Sequence, residues 1–201
     1  MRNYNILITG VGGQGLLTLG SIIGVSCTVR GIDVSVAEVH GMSQRGGSVV
    51  VYVRIGQEPG PITPVGGVDH VLALELLEAA RYIHYAKRGA HVTVNDFVWP
   101  PPLSVHPSRD QLIGGLRARD VKLHVVKANE MSEKVLGSPI SANIAILGYA
   151  LAVDKTLRDL LTLEAVEKAL EEHFKGRALE LNKLLLKRAY EEGLKSEQCS
   201  G

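Results

Sequence analysis

Ile32-Asp-Val-Ser-Val-Ala-Glu-Val39, His40-Gly-Met-Ser-Gln-Arg-Gly-Gly47 and Ser48-Val-Val-Val-Tyr-Val-Arg-Ile55 follow one another without a break. The first segment alternates and the third is rich in β-branched residues, so both read as strands. Only eight residues separate them. A parallel crossover needs about a dozen residues or more, so the two strands are expected to pair antiparallel. The sheet they enter must then be mixed, which departs from a plain Rossmann fold.

Upstream, Tyr4 to Thr9 is a short apolar run that reads as a buried strand. Gly10-Val-Gly-Gly-Gln-Gly15 forms a turn, and Leu16 to Val29 reads as a buried helix, apolar nearly all round. Gly20 and Gly24 share one face of it and admit a close backbone neighbour. Downstream, Gly56 to Gly67 reads as a loop and Val68 to Leu74 as a strand. Leu76 to Arg88 reads as a helix capped by Gly89, and Ala90 to Asn95 as a strand. Asp96 to Pro107 contains Pro100, Pro101 and Pro102 and must be an extended connection, with Trp99 near its start. Val121 to Val126 is the last strand, and the remainder is helical. Thr162 is placed to cap a helix with the apolar stripe Leu163, Val166, Leu170 and Phe174. Arg177 to Glu192 presents Ala178, Leu181, Leu184 and Leu185 on one face and stops at Gly193. The pattern predicts a single α/β domain over residues 1–201. It has three layers, a mixed and mostly parallel sheet, a Rossmann-like glycine turn and a helical C-terminal part.

Composition narrows the function. A chain of 201 residues and 21.6 kDa suits one domain, and 21% charged with 45% hydrophobic residues is globular. Net charge is +1 and aromatics are 4%, so neither nucleic acid nor a membrane is expected as a partner. Cys27 and Cys199 lie 172 positions apart, which excludes a cysteine-held cluster, a cysteine zinc site or a disulfide framework within the chain. Asn3 to Val29 carries no charge and is long enough to mimic a membrane span. Its central glycines break that pattern, no targeting signal remains, and the cytoplasm is expected. Residues 1–80 hold 10 of the 43 charged side chains. Either part of this half faces another chain, or it supplies strands buried from both sides, and the two are compatible.

Two glycine loops carry the chemistry. Gly10, Gly12 and Gly15 satisfy G-x-G-x-x-G, with Gly13 and Gln14 opening the turn. Backbone N–H groups there can approach a phosphate at a helix N-terminus. A turn without a ligand is the alternative. Glu38 stands roughly where a dinucleotide-binding protein holds a ribose, but a strand that runs back after eight residues weakens that reading. In the second loop Gly41, Gly46 and Gly47 permit unusual backbone angles around His40, Ser43, Gln44 and Arg45. Arg45 offers a planar fork for a carboxylate or phosphate, and a polar hairpin connection with a solvated Arg45 is the alternative. If the first two strands run parallel, both loops emerge at one sheet edge, where open α/β sheets bind ligands. Glu75 and Asn95, each at a strand end, are placed to line that edge, although such residues are commonly caps. His70, His84, His91 and His124 lack ligand spacing and read as structural or surface residues, and no metal site is expected. No G-x-S-x-G, H-E-x-x-H or Walker A sequence occurs. The chain reads as a chemically incomplete module.

Gly10-Val-Gly-Gly-Gln-Gly15, Glu38-Val-His-Gly-Met-Ser-Gln-Arg-Gly-Gly-Ser48 and Leu72-Ala-Leu-Glu-Leu-Leu-Glu-Ala79 together resemble the gamma-type domain of 2-oxoacid:ferredoxin oxidoreductases. Asn143-Ile-Ala-Ile-Leu-Gly148 and Asn182 agree with it, and Leu76 departs from it, where the family often has proline. The resemblance spans nearly the whole chain, and the stand-alone length points to members that act on indolepyruvate. It implies oxidative decarboxylation of an aryl 2-oxoacid, with electrons passing to ferredoxin and the acyl group to coenzyme A. This chain alone is then expected to bind no cofactor, because it has no cluster ligands and no Gly-Asp-Gly thiamine motif. Thiamine diphosphate and 4Fe-4S clusters would belong to a large partner subunit, whose substrate or coenzyme A site the His40–Gly47 loop would complete. Two other readings stand beside this one: an NAD(P)-dependent oxidoreductase, and a non-enzymatic nucleotide-binding module.

Overall fold

In the computed structural model, which describes residues 3–40, 47–56, 60–100 and 104–198, six strands form one sheet. They are Tyr4–Val11 (β1), Val34–His40 (β2), Ser48–Ile55 (β3), Val68–Ala73 (β4), Ala86–Asn95 (β5) and Val121–Val126 (β6). Their order across the sheet is β2-β3-β1-β4-β5-β6. β3 runs antiparallel to both β2 and β1, while β1, β4, β5 and β6 are parallel. The eight-residue connection therefore joins antiparallel neighbours, as its length requires. Because β3 intervenes, β2 does not lie beside β1 as it would in a dinucleotide-binding fold. Glu38 sits exposed on this edge strand.

Eight helices are described: Leu16–Val29 (α1), Leu76–Tyr82 (α2), Arg109–Arg117 (α3), Ala128–Leu136 (α4), Ala142–Val153 (α5), Lys155–Leu161 (α6), Leu163–His173 (α7) and Gly176–Gln198 (α8). On one sheet face, Ile6, Ile8, Leu72 and Leu74 meet Leu19 and Ile23 of α1 and Ile144 and Leu147 of α5. On the other, Leu7, Val71 and Val92 meet Leu76 and Ala79 of α2 and Leu112 and Leu116 of α3. These are the three layers. Every residue of β1 is buried, as befits a strand covered from both sides. The sparse charge of the first eighty residues follows in part from this placement. Among the described residues no single helix is long and apolar enough to cross a membrane.

Several boundaries differ from the sequence expectation. α2 ends at Tyr82, a turn of 3-10 helix covers Ile83–Tyr85, and β5 already begins at Ala86. Gly89 is no helix cap. At φ +73° it lies inside β5, where the register with β4 shifts, and glycine relieves that bulge. α3 falls in a stretch that the pattern left unassigned, although its Ser108–Gln111 capping box is a readable start signal. α8 continues past Gly193 to Gln198, and its buried face is Asn182, Leu185, Leu186, Ala189 and Gly193, leaving Leu184 exposed. The helix passes through this glycine because α5 presses on it: a Cβ on Gly193 would lie 2.6 Å from Ala152 Cβ, and one on Gly148 would lie 2.5 Å from the Leu186 carbonyl oxygen. Thr162 caps α7 as expected, its hydroxyl accepting from the Ala165 N–H at 3.3 Å.

Candidate ligand site at the carboxyl edge of the sheet

β1 and β4 are parallel neighbours, yet α1 leaves β1 toward one face and α2 leaves β4 toward the other. That divergence is a topological switch point, where open α/β sheets hold ligands. The glycine turn lies there. Gly13 at φ +105° and Gly15 at φ +77° occupy the left-handed region that favours glycine. Gln14 clamps the turn, with Oε1 accepting from the Val11 N–H at 2.7 Å and Nε2 donating to the Leu74 carbonyl at 3.4 Å. Asn143, buried at the start of α5, donates from Nδ2 to the Gly15 carbonyl at 3.0 Å. α1 begins with no side-chain cap and no acidic residue in its first turn. Its first N–H groups and positive dipole end therefore suit an anion.

The second loop leaves from the same edge. His40 ends β2 opposite Val49, and Val11 at the end of β1 lies opposite Ser48. The Gly12 N–H donates to the Gly47 carbonyl at 2.9 Å, so the two glycine loops meet. Ser48 anchors the loop's far end by donating to the Glu78 carboxylate, and its oxygen is 3.2 Å from the Tyr82 hydroxyl. Gly41, Ser43, Gln44, Arg45 and Gly46 lie outside the described residues.

Beside the turn is a cavity of about 230 Å³, lined by Gly13, Gln14, Asn95, Phe97, Trp99 and Asn129 together with the start of α5. Phe97 and Trp99 meet edge to face with centroids 6.4 Å apart. Trp99, Leu17 and Ile140 are exposed apolar residues on these same segments. Asn95 lines the cavity and also ties its walls: Oδ1 accepts from the Ala128 N–H at 3.1 Å, and Nδ2 donates to Asn129 Oδ1 at 2.9 Å. Glu75 is turned inward and fully buried, capping α2 by accepting from the Leu77 and Glu78 N–H groups. Burial pushes its carboxyl above the ordinary carboxylate range, against these N–H groups, which favour the charged form. Gly10, Gly12, Gly13, Gln14, Gly15, Gly47 and Asn95 are thus brought together at one edge, and Glu75 serves behind it. Sequence reasoning assigned no site role to Phe97, Asn129 or Asn143; Asn129 lies on α4 and Asn143 on α5, and their positions depend on how those helices dock.

Two cysteines are too few for the four thiolates of an iron–sulfur cluster. Cys27 is buried, which pushes its thiol up to about 12, and among the described residues no group of three or more His, Cys, Asp or Glu is arranged to hold a metal. Fold and edge together define a mixed-sheet α/β domain with a switch-point cradle and no catalytic constellation among the described residues. The family model for pyruvate ferredoxin/flavodoxin oxidoreductase matches residues 5–192, and the chain belongs to that family. It is 37% identical over 195 residues to the indolepyruvate oxidoreductase subunit IorB of Archaeoglobus fulgidus, covering 94% of this chain and 95% of that one. Its fold matches the gamma subunit of the keto/oxoacid ferredoxin oxidoreductase from Geobacter sulfurreducens, with a TM-score of 0.74 at 24% identity over 96% of this chain and 99% of that one. It also matches 32% of the 2-oxoglutarate:ferredoxin oxidoreductase from Magnetococcus marinus, over 98% of this chain, with a TM-score of 0.73 at 16% identity.

Proposed function

We propose that this chain is the cluster-free subunit of an indolepyruvate, or other aryl 2-oxoacid, ferredoxin oxidoreductase of the cytoplasm. Its carboxyl sheet edge completes the substrate or coenzyme A site of a larger partner. The observation that carries this reading is the meeting of the two glycine loops through Gly12 and Gly47 at the switch point. Thiamine diphosphate and 4Fe-4S clusters on the partner supply decarboxylation and electron transfer to ferredoxin. This chain's part is to hold and orient. The free N–H end of α1 and Arg45 receive an anionic group, either a coenzyme A phosphate or the substrate carboxylate. Phe97 and Trp99 shield it from water. The Magnetococcus structure is described with 2-oxoglutarate, coenzyme A and succinyl-CoA bound, so both kinds of anion are ligands of a protein that shares this fold.

Purified alone, the chain is expected to be colourless and inactive. Mixing it with its partner subunit restores 2-oxoacid-dependent dye reduction. Replacing Arg45 with Ala in the complex removes a charge-assisted hydrogen bond of about 1.5–3 kcal/mol and lowers kcat/KM by about ten- to a hundredfold. Activity in the isolated chain, or an Arg45→Ala complex with unchanged kinetics, contradicts the proposal.

A further inference from the structure

Midway along neighbouring strands, on the face of the sheet that α5 covers, His70, His91 and His124 stand on β4, β5 and β6. His70 is fully buried and internally occupied, with Nδ1 3.0 Å from Asp154 Oδ2 and Nε2 2.9 Å from Thr93 Oγ1. The Tyr4 hydroxyl also donates to Asp154, and the Leu157 N–H takes its other oxygen at 3.1 Å. The Asp154 carboxylate is therefore engaged within the fold.

His91 stands between His70, whose ring centroid lies 5.4 Å away, and His124, with which it pairs. Nδ1 of His91 lies 3.3 Å from Nε2 of His124, and the rings are within 10° of parallel with centroids 5.5 Å apart. Two neutral imidazoles make such a contact only as N–H···N, with one proton between them. One outer nitrogen is then a donor and the other a bare acceptor. One further proton turns both outer nitrogens into donors.

This pair lines a groove of about 640 Å³ between β6, the start of α6 and the end of α8. Lys122, on the same face of β6 as His124, and Lys155 of α6 also line it, and neither has an acidic partner among the described residues. The carboxylates near the pair are Asp154, which also lines the groove, Glu197, exposed at the rim, and Asp69, bound to Lys87 at 2.8 Å. The Tyr149 ring lies 6.2 Å from His124. Burial first, then the neighbouring His70 and Lys122, holds His91 and His124 down to about 4 against the opposing pull of the Asp154 carboxylate, so a further negative charge in the groove favours proton uptake.

We propose that this groove binds a small tetrahedral dianion of the sulfate or phosphate-ester kind, and that binding is coupled to uptake of a proton by the His91–His124 pair. Lys122, Lys155 and one imidazolium outnumber the Asp154 and Glu197 carboxylates that also line the groove, so uptake of the proton gives it the net positive charge an anion needs.

Sulfate is the suitable probe, because it stays doubly charged across the working range. Calorimetric titration of the full chain with sulfate at about pH 7.5 and pH 5.5, in buffers of different ionisation enthalpy, reads affinity and proton uptake together. The expected result is saturable binding that tightens about threefold or more at the lower pH, with net proton uptake. Lys122→Ala combined with Lys155→Ala abolishes binding, and both side chains are exposed, so the fold survives. His124→Gln retains weaker binding that no longer depends on pH. Repeating the titration with glycerol phosphate distinguishes the source, because the tighter ligand of the two marks the natural class. Absence of saturable sulfate binding, binding without proton uptake, or binding undisturbed in the double lysine variant overturns the proposal.

Discussion

Asn143 and Gly15 lie far apart in the chain, yet one hydrogen bond from Nδ2 to the Gly15 carbonyl fixes the glycine turn against α5. Asn143→Ala removes that donor and leaves the carbonyl with the Leu19 N–H alone, at 3.0 Å. It is expected to cost about 1–2 kcal/mol in a urea unfolding series, and to weaken activity of the assembled enzyme more than this stability loss explains. The histidine pair makes a different prediction. In the folded chain His91 and His124 are held down to about 4, below the ordinary imidazole value, chiefly by burial. Between those two pH values the unfolded chain binds more protons than the folded one, so stability falls as the pH drops from about 6.5 toward 4. Unfolding midpoints measured across that window should decline, and His124→Gln should flatten the decline. The histidine pair was not legible in the sequence. It depends on the register of β5 against β6, which sets Thr93 opposite His124 and so brings His124 near His91. The glycine turn was legible because its residues are contiguous.

At the scale of elements, the length of one connection decided the topology. Eight residues cannot cross over a sheet, and β2 and β3 pair antiparallel accordingly. Helix α8 was harder to phase. Leu181 and Leu184 imitate a buried stripe, whereas the packed face runs through Asn182, Leu186, Ala189 and Gly193. Two helices that approach through small residues leave little apolar periodicity for the sequence to display. The close approach has a measurable consequence. Gly148→Val drives a side chain into the Leu186 carbonyl and the Ala189 Cβ. Overpacking of this kind costs about 1–3 kcal/mol, which should lower the melting temperature by several degrees. α3 escaped notice because its apolar content is slight, although its capping box was present.

Over the whole molecule, charge and exposure divide the two ends of the sheet. The carboxyl edge joins an uncapped helix N-terminus, the glycine turns and the exposed apolar residues Leu17, Trp99 and Ile140. The amino edge carries lysines and histidines around a polar groove. The first is the edge proposed to complete the partner's site. The motifs located that edge from the sequence, whereas the cavity walls contributed by α4 and α5 came only with the fold. Hydrogen–deuterium exchange on the chain, free and in complex with its partner subunit, tests this assignment most directly. The account predicts that amides of Gly12–Leu17 and of the His40–Gly47 loop exchange about tenfold or more slowly on assembly, while those of Val121–His124 at the amino edge are unchanged. Protection confined to the amino edge, with the two glycine loops exchanging as freely as before, contradicts it.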